Sequence, residues 1–407
     1  MSPGLKTLNG KAIINTALFT LLMFPFVKII PANFLATDTQ IHTLIIPFFV
    51  ILFNRNTSIP KQYYWLFIPF AIATAFLIIE PLDFTLTIKK WIQYPSLLLI
   101  SVAAYMLLRN DKGKILNANY FLIIVLIYFF AALLQQFLGK EILSFLLSSS
   151  GVRGGLNRGV TSLTNEPSFF GIISFLFFLI FNCLNLKHKR LVSVLCIFQT
   201  LFLAKSTLGA CSFIVYYFLD FLNNFKLKKA AFYVLTLIAI IVSFNLFLQN
   251  SRIYKIVTLL IERPHILLSD RSIRERTDSF LIGIKGSADN YFLPNGFTKW
   301  KYYSTEYNVL ASNSTLRATK RGQSRLGNTI FELGIFSIIV FYFFYKCFSF
   351  CSPSIITNSI YTLSFMTILF QGTPFATSTL GCTLSFVYYH AKQKQNSKQN
   401  KSRQIKT

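Results

Sequence analysis

The sequence predicts an all-α, polytopic integral membrane protein, and two features of its composition carry this prediction. Of the 407 residues, 53% are hydrophobic and only 13% are charged, which is about half the charged fraction of a typical soluble domain. Several apolar runs also exceed the length of about 18 residues that marks a transmembrane helix. Water-soluble globular, disordered and disulfide-linked secreted proteins are therefore excluded.

Twelve apolar segments are predicted to span the membrane, and the shorter ones would tilt or break inside the bundle. These segments are 13–30, 41–53, 63–79, 92–108, 118–138, 168–186, 191–204, 208–222, 230–249, 329–345, 354–370 and 375–389. Together they form a single membrane domain over residues 1–407, with large loops at 139–167 and 250–327. Residues 391–407 are rich in Lys, Gln, Asn and Ser, which predicts a disordered basic cytoplasmic tail.

The distribution of positive charge predicts the orientation of these spans. If the N terminus is cytoplasmic, 20 of the 40 Lys and Arg residues fall in inner segments and only four fall on the short outer connections. Cytoplasmic loops are the ones that carry excess Lys and Arg. Both termini are therefore predicted to be cytoplasmic, and both large loops to lie outside. The same distribution explains the net charge of +26 without a nucleic-acid partner.

The first large loop combines glycines and arginines just before a helix start. Arg153 and Arg158 lie among four glycines, and the loop ends in Asn165-Glu166-Pro167. Arginine holds phosphate oxygens bidentately, and glycine lets the backbone approach a bulky ligand. Proline fits the first helical turn, where a carboxylate is also favoured, so Asn165 or Glu166 is predicted to cap the next helix. The alternative is a flexible loop with an ordinary cap, whose arginines hold lipid phosphate.

The second large loop has its densest charge around Arg271, Arg274 and Arg276. Apolar residues follow them, which predicts an amphipathic helix on the outer surface, with arginines that meet lipid phosphates or a diphosphate substrate. Aromatic residues further along, led by Trp300, have faces of the kind that stack on sugar rings. The alternatives are a solvated helix face for the charges and interfacial anchoring for the aromatic residues.

Ionisable residues are nearly absent from the middle of the predicted spans. Glu332 lies one turn into the tenth span at its outer end, and Lys205 lies at an outer turn. Because an ionisable group in a membrane marks function by default, chemistry is expected at the outer leaflet rather than across the bilayer. No Asp-x-Asp pair, metal-ligand cluster or nucleotide-binding fingerprint occurs in the sequence, so no metal and no other cofactor is predicted.

Four short segments at predicted loop and span boundaries carry a likeness to a known family. They are Arg158-Gly159 followed by Asn165 to Ser168, Lys205 to Gly209, Arg276 followed by Pro294 to Phe297, and Asn328 to Gly334. In their order and spacing they resemble the O-antigen polymerases (Wzy type), which are related to the O-antigen ligases. The architecture is similar as well, with about 12 transmembrane helices, two large periplasmic loops and both ends in the cytoplasm.

Two departures from the related families are visible in the same segments. The ligases place a His before the Asn, where this chain has Gly327 with Arg325 nearby, and this difference argues against a ligase. The Arg-x10-Gly spacing of some polymerases is absent from both loops, so the resemblance does not assign a role to each individual arginine.

The resemblance implies a glycosyltransferase of the bacterial inner membrane that joins oligosaccharide repeat units in lipopolysaccharide biosynthesis. Donor and acceptor would both be undecaprenyl-diphosphate-linked oligosaccharides, surrounded by membrane lipid, and a chain-length regulator and a flippase are further candidate partners. Two alternatives stay open: an O-antigen ligase, or a flippase for lipid-linked oligosaccharides, which is a transporter and not an enzyme.

The candidate site residues follow from the loops and from this resemblance. Glu166 is the first choice for a general base and Glu332 is the second, because the acceptor hydroxyl benefits from a base near the anomeric carbon. The candidates for binding diphosphate or sugar are Arg153, Arg158, Lys205, Arg271, Arg274, Arg276, Arg325, Asn328 and Trp300.

Overall fold

The computed structural model describes most of the chain, and its described residues form sixteen α-helices without a strand. The described residues are 10–29, 40–80, 84–112, 114–147, 159–224, 271–306 and 322–404. The helices are α1 (Gly10–Met23), α2 (His42–Phe53), α3 (Lys61–Tyr64), α4 (Phe67–Ile79), α5 (Phe84–Trp91), α6 (Gln93–Asp111), α7 (Ala118–Leu138), α8 (Pro167–Cys183), α9 (Lys189–Phe198), α10 (Thr207–Asn223), α11 (Arg271–Asp289), α12 (Trp300–Glu306), α13 (Arg325–Leu333), α14 (Ser337–Phe348), α15 (Ile355–Phe370) and α16 (Ser378–Gln404).

The predicted all-α class is confirmed, and eleven of the twelve predicted spans overlap helices. Four helical segments are long and apolar enough to cross a membrane: Lys61–Ile79, Thr87–Asp111, Ala118–Leu138 and Arg325–Phe348. Five shorter apolar helices accompany them among the described residues. The predicted span at 230–249 lies outside the described residues, so the count of twelve stays a prediction.

The outer surface of the bundle is apolar where a soluble protein would be polar. Phe137 is 80% exposed, Phe53 is 78% exposed and Ile78 is 75% exposed. Exposed apolar surface on this scale indicates contact with lipid or with another protein, and its position on apolar helices indicates lipid. The fold is therefore that of a helical membrane protein.

The centre of the bundle is built around α6, α8 and α16. Helix α6 is buried on nearly every side, since α16 and α2 make their most extensive contacts with it. A helix that is apolar all round is expected in such a central position. Gly381 of α16 approaches the side chain of Ile100 so closely that a Cβ there would clash, which explains why a small residue stands at this crossing.

The helix termini fall at two separate ends of the bundle. At one end, Ser378 at the start of α16 donates a hydrogen bond to the carbonyl of Leu22 at the close of α1. At the other end, Asn110 near the close of α6 donates to Asn54, just after α2, at 2.8 Å. Helix α1 thus ends, and α16 begins, at the end of the bundle opposite the one where α2 and α6 end. We call the end that holds Ser378 the site end.

Two predicted boundaries are wrong. The first predicted span runs to residue 30, but α1 ends at Met23 because Pro25 follows and disfavours the helical conformation just before it. The predicted disordered tail is helical over most of its length, since α16 continues to Gln404. A lysine-rich and glutamine-rich segment has good intrinsic helix propensity, and a preceding buried helix provides the nucleus from which it extends.

Candidate functional site

Helix α13 brings two predicted site residues onto one buried face. Ser324 caps the helix, with its Oγ accepting a hydrogen bond from the backbone N–H of Gly327 at 3.2 Å. Arg325 in the first turn is 6% exposed and Glu332 in the last turn is 2% exposed. The helix ends at Gly334, whose φ of +55° is a left-handed conformation that glycine adopts without strain. The two charges are thereby fixed on a short rigid element.

Arg325 and Glu332 form a buried ion pair that Tyr94 of α6 completes. The Arg325 Nη2 atom lies 3.6 Å from Oε2 of Glu332, and the Tyr94 hydroxyl donates to the same oxygen at 2.5 Å. The guanidinium also lies over the rings of Tyr94 and Phe375, with its Cζ atom 5.1 Å and 4.6 Å from the two centroids. The Nε and Nη2 atoms of Arg325 make no hydrogen bond. This guanidinium therefore keeps donors with which it can hold an anion.

Helix α11 of the second large loop packs against α13. Gly283 and Gly327 bring the two helix backbones so close that a Cβ on either would clash. The predicted helix is present and packs against α13, and its position on the outer surface of the membrane stays a prediction. Arg276 donates from Nε to the carbonyl of Gln371 at 3.1 Å. This bond ties α11 to the connection between α15 and α16 at the site end.

A clamp on the loop turn at 296–298 was not predicted. Glu80, just after α4, accepts hydrogen bonds on Oε2 from the backbone N–H groups of Phe297 at 2.7 Å and Thr298 at 2.9 Å. Lys90 of α5 donates to the carbonyl of Phe297. The Phe297 ring in turn stacks on Tyr94, with centroids 6.4 Å apart. The clamp therefore connects the second large loop to the tyrosine that contacts Glu332.

Trp300 and Asn328 meet on the loop side of α13. Trp300 is only 2% exposed and packs edge-on against Phe331, with ring centroids 5.0 Å apart. The prediction that its face is open for stacking on a sugar is therefore wrong in this structure, because the ring fills the small apolar cluster beneath α11 and α12. Asn328 donates from Nδ2 to the carbonyl of Gly322 at 3.0 Å.

Glu166 stands at the start of α8, as the Glu-Pro pattern predicts. Its backbone is extended and Pro167 occupies the first turn. The predicted side-chain cap is wrong for Glu166: its carboxylate makes no bond to the backbone N–H groups of the first turn and instead accepts from the Ser168 hydroxyl at 3.1 Å. The carboxylate is half-buried, so a reactant can reach it.

Lys205 lies in a strained turn beside the first large loop. Its φ is +46°, between a π-helical turn (Gln199–Leu203) and α10. Val160 donates from its backbone to the carbonyl of Leu203 at 2.8 Å, which holds the loop against this turn. Burial lowers the pKa of Lys140, and the nearby positive charge of Lys205 lowers it further. Two cations from separate loops thus lie close enough to repel each other.

The structure describes the positions of only some of the remaining candidate residues. Arg153 and Arg158 lie outside the described residues. Arg271 begins α11, but its side chain is outside the described part of the chain. Arg274, one turn further on, is half-buried. Within the described residues, no group of three His, Cys, Asp or Glu side chains has an arrangement that could hold a metal ion.

Comparison with known proteins adds no family assignment. No protein-family model matches the chain, and no curated protein matches it either.

Proposed function

We propose that the protein is an O-antigen polymerase, a glycosyltransferase that joins undecaprenyl-diphosphate-linked oligosaccharide repeat units. The buried pair of Arg325 and Glu332 is the observation on which the proposal rests most. An arginine with unused donors, fixed by a carboxylate and two aromatic rings, is suited to an anionic leaving group. Glu332 lies within the segment from Asn328 to Gly334, which is one of the four segments that resemble the polymerases, and Arg325 lies just before that segment.

The proposed reaction needs cations and one base. The acceptor hydroxyl oxygen attacks the anomeric carbon of the donor, and the bond from that carbon to the diphosphate oxygen breaks. Undecaprenyl diphosphate leaves with the electron pair, and a carboxylate takes the hydroxyl proton. Arg325 and Arg276 are proposed to hold the diphosphate, which is already a good leaving group and needs no protonation.

Glu166 is the better candidate for the base. Glu332 already accepts from Tyr94 and faces Arg325, so its contacts are those of a residue that orients an arginine. Glu166 is more exposed, and a hydrogen bond from the Ser168 hydroxyl at 3.1 Å orients its carboxylate. We therefore assign proton removal to Glu166 and the positioning of Arg325 to Glu332.

The membrane topology is part of the same proposal. Lys and Arg residues concentrate near the helix ends opposite the site end. In the described residues these include Lys11, Arg55, Lys61, Arg109, Lys112, Lys114, Lys187, Lys189, Arg190, Lys346, Lys392 and Lys394. By the positive-inside rule this end would face the cytoplasm and the site end the periplasm, where the substrates are delivered. We propose on the same grounds that the protein lies in the bacterial inner membrane with both termini cytoplasmic.

Deletion of the gene tests the proposed function directly. The expected result is lipopolysaccharide that carries a single repeat unit, seen on a gel as loss of the ladder, with the ladder restored by the intact gene. If the gene encoded a ligase, its deletion would instead leave polymer attached to the lipid carrier and none on the lipid A core. If the gene encoded a flippase, its deletion would leave single lipid-linked repeats on the cytoplasmic side of the membrane. Either of these two profiles would contradict the proposal.

A further inference from the structure

Buried polar atoms without partners gather where α11, α12 and α13 meet around Gly322. A Cβ on Gly322 would clash with Oδ1 of Asn328 and with the indole ring of Trp300, so all three residues are in close contact. The Oδ1 atom of Asn328 and the Nε1 atom of Trp300 are buried and make no hydrogen bond. One is an acceptor and the other is a donor.

Asp278 of α11 extends this group of atoms. Its neighbour Ser279 accepts a hydrogen bond from the backbone N–H of Gln323 at 2.8 Å, which places Asp278 beside the same junction. Ile282, one helical turn further on, packs with Trp300 in the apolar cluster. Asp278 is 5% exposed, and neither of its carboxylate oxygens has a hydrogen-bond partner.

Arg274 stands one turn before Asp278 and contributes an unpartnered Nε donor. Burial raises the pKa of the Asp278 carboxyl, and the positive charge of Arg274 only partly opposes this effect. A buried carboxylate without hydrogen bonds destabilises a fold, and native proteins rarely keep such groups without a function. The junction therefore contains acceptors and donors that a polar ligand would satisfy.

We propose that Asp278, Asn328 and Trp300 form a subsite for the hydroxyl groups of a sugar in the lipid-linked oligosaccharide. This inference rests on the proposed function. A sugar hydroxyl both donates and accepts, so it matches the acceptors on Asp278 and Asn328 and the donor on Trp300. A phosphate group would be repelled by Asp278. The sugar is therefore bound on the α11 side of α13, and the diphosphate on the opposite side at Arg325.

Binding of two lipid probes by the purified full-length protein tests the subsite. One probe is the lipid-linked repeat unit extracted from the deletion strain, and the other is undecaprenyl diphosphate without sugar. Asp278→Asn is expected to weaken binding of the sugar-bearing probe about tenfold or more, the loss expected for hydrogen bonds to a charged group. Binding of undecaprenyl diphosphate should not change. Asp289→Asn, an exposed substitution on the same helix, is the matched control and should change neither.

Thermal unfolding separates a binding role from a structural one. Because Asn is isosteric and uncharged, Asp278→Asn is expected to melt at the same temperature as the wild type or above it. A lower melting temperature together with equal loss of both probes would overturn the subsite, since that result describes a structural residue. Unchanged binding of the sugar-bearing probe by Asp278→Asn would overturn the subsite alone. A wild-type protein that binds neither probe and does not restore the ladder would overturn the proposed function as well.

Discussion

Two helices at the site end carry a glutamate, Glu332 in the last turn of α13 and Glu166 at the start of α8, and the two differ in their surroundings. At α13, Glu332 is buried and already neutralised by Arg325 and Tyr94. At α8, Glu166 is half-buried and its carboxylate accepts from the neutral hydroxyl of Ser168. A buried ion pair is preorganised and resists change, whereas a half-buried carboxylate beside a hydroxyl remains available to a reactant. The comparison teaches that the two glutamates are suited to different tasks.

The largest effect is expected from breaking the α13 pair. Arg325→Ala leaves Glu332 as an unpaired buried charge, which destabilises a protein by about 3–5 kcal/mol. We expect low protein in the membrane and no lipopolysaccharide ladder, measured by immunoblot and gel. The double variant Arg325→Met with Glu332→Gln removes both charges and should restore the protein level without restoring the ladder. A double variant that makes a normal ladder would show that the pair has no part in the reaction.

Substitution of Glu166, at the start of α8, is expected to reduce activity strongly without an effect on folding. Glu166→Gln keeps the size of the side chain and its contact with Ser168, so the protein should insert at wild-type level. Without the carboxylate the acceptor hydroxyl loses its base, and general base catalysis contributes about 100-fold to 10,000-fold to a rate. Long chains should disappear from the lipopolysaccharide gel while single repeats remain. Glu141→Gln, an exposed acid in the same large loop, is the control and should leave the ladder normal.

A third variant weakens the turn at 296–298, which contacts the α13 region through Tyr94, by removing the side chain of Glu80. Glu80→Ala removes the acceptor for two backbone N–H groups at Phe297 and Thr298, which should destabilise the loop by about 1–2 kcal/mol. Limited proteolysis is expected to cut near residues 296–298 faster than in the wild type. Cleavage near Gly159 should be unaffected, because the first large loop is held by other contacts. Equal acceleration at both loops would mean that Glu80 supports the whole fold rather than this turn.

The sequence predicted the helices well and their contacts poorly. Apolar runs mark the spans because lipid requires a continuous apolar surface, so α7 is found at the predicted boundaries of 118–138. The start of α8 was predicted through Pro167, whose fixed φ suits a first helical turn. The burial of Trp300 depends on Ile282 of α11 and Phe331 of α13, and no local pattern in the sequence places these residues beside it.

The sequence predicted candidate residues for the site but not the contacts between them. Glu332 was expected at the outer end of the tenth span and Arg325 in the loop before it, yet their pairing depends on one helix, α13, that holds both residues. Tyr94 and Glu80 come from spans far away in the sequence, so no local spacing could assign them to Glu332 or to the turn at 296–298. The one local signal for Glu80 was an isolated acid at a span end.

The smallest effect on stability is expected from Lys140 and Lys205, the two cations beside the first large loop and α10. Lys140→Gln removes the repulsion between Lys140 and Lys205 and should raise the melting temperature slightly at neutral pH. Folding lowers the pKa of Lys140, so its protonation opposes folding and the wild type gains relative stability as the pH rises. The difference between variant and wild type should therefore shrink from neutral to alkaline pH in thermal unfolding. Lys299→Gln in the second large loop is the control and should show no such convergence, and a difference that widens with pH would mean that Lys140 is stabilised in its charged form.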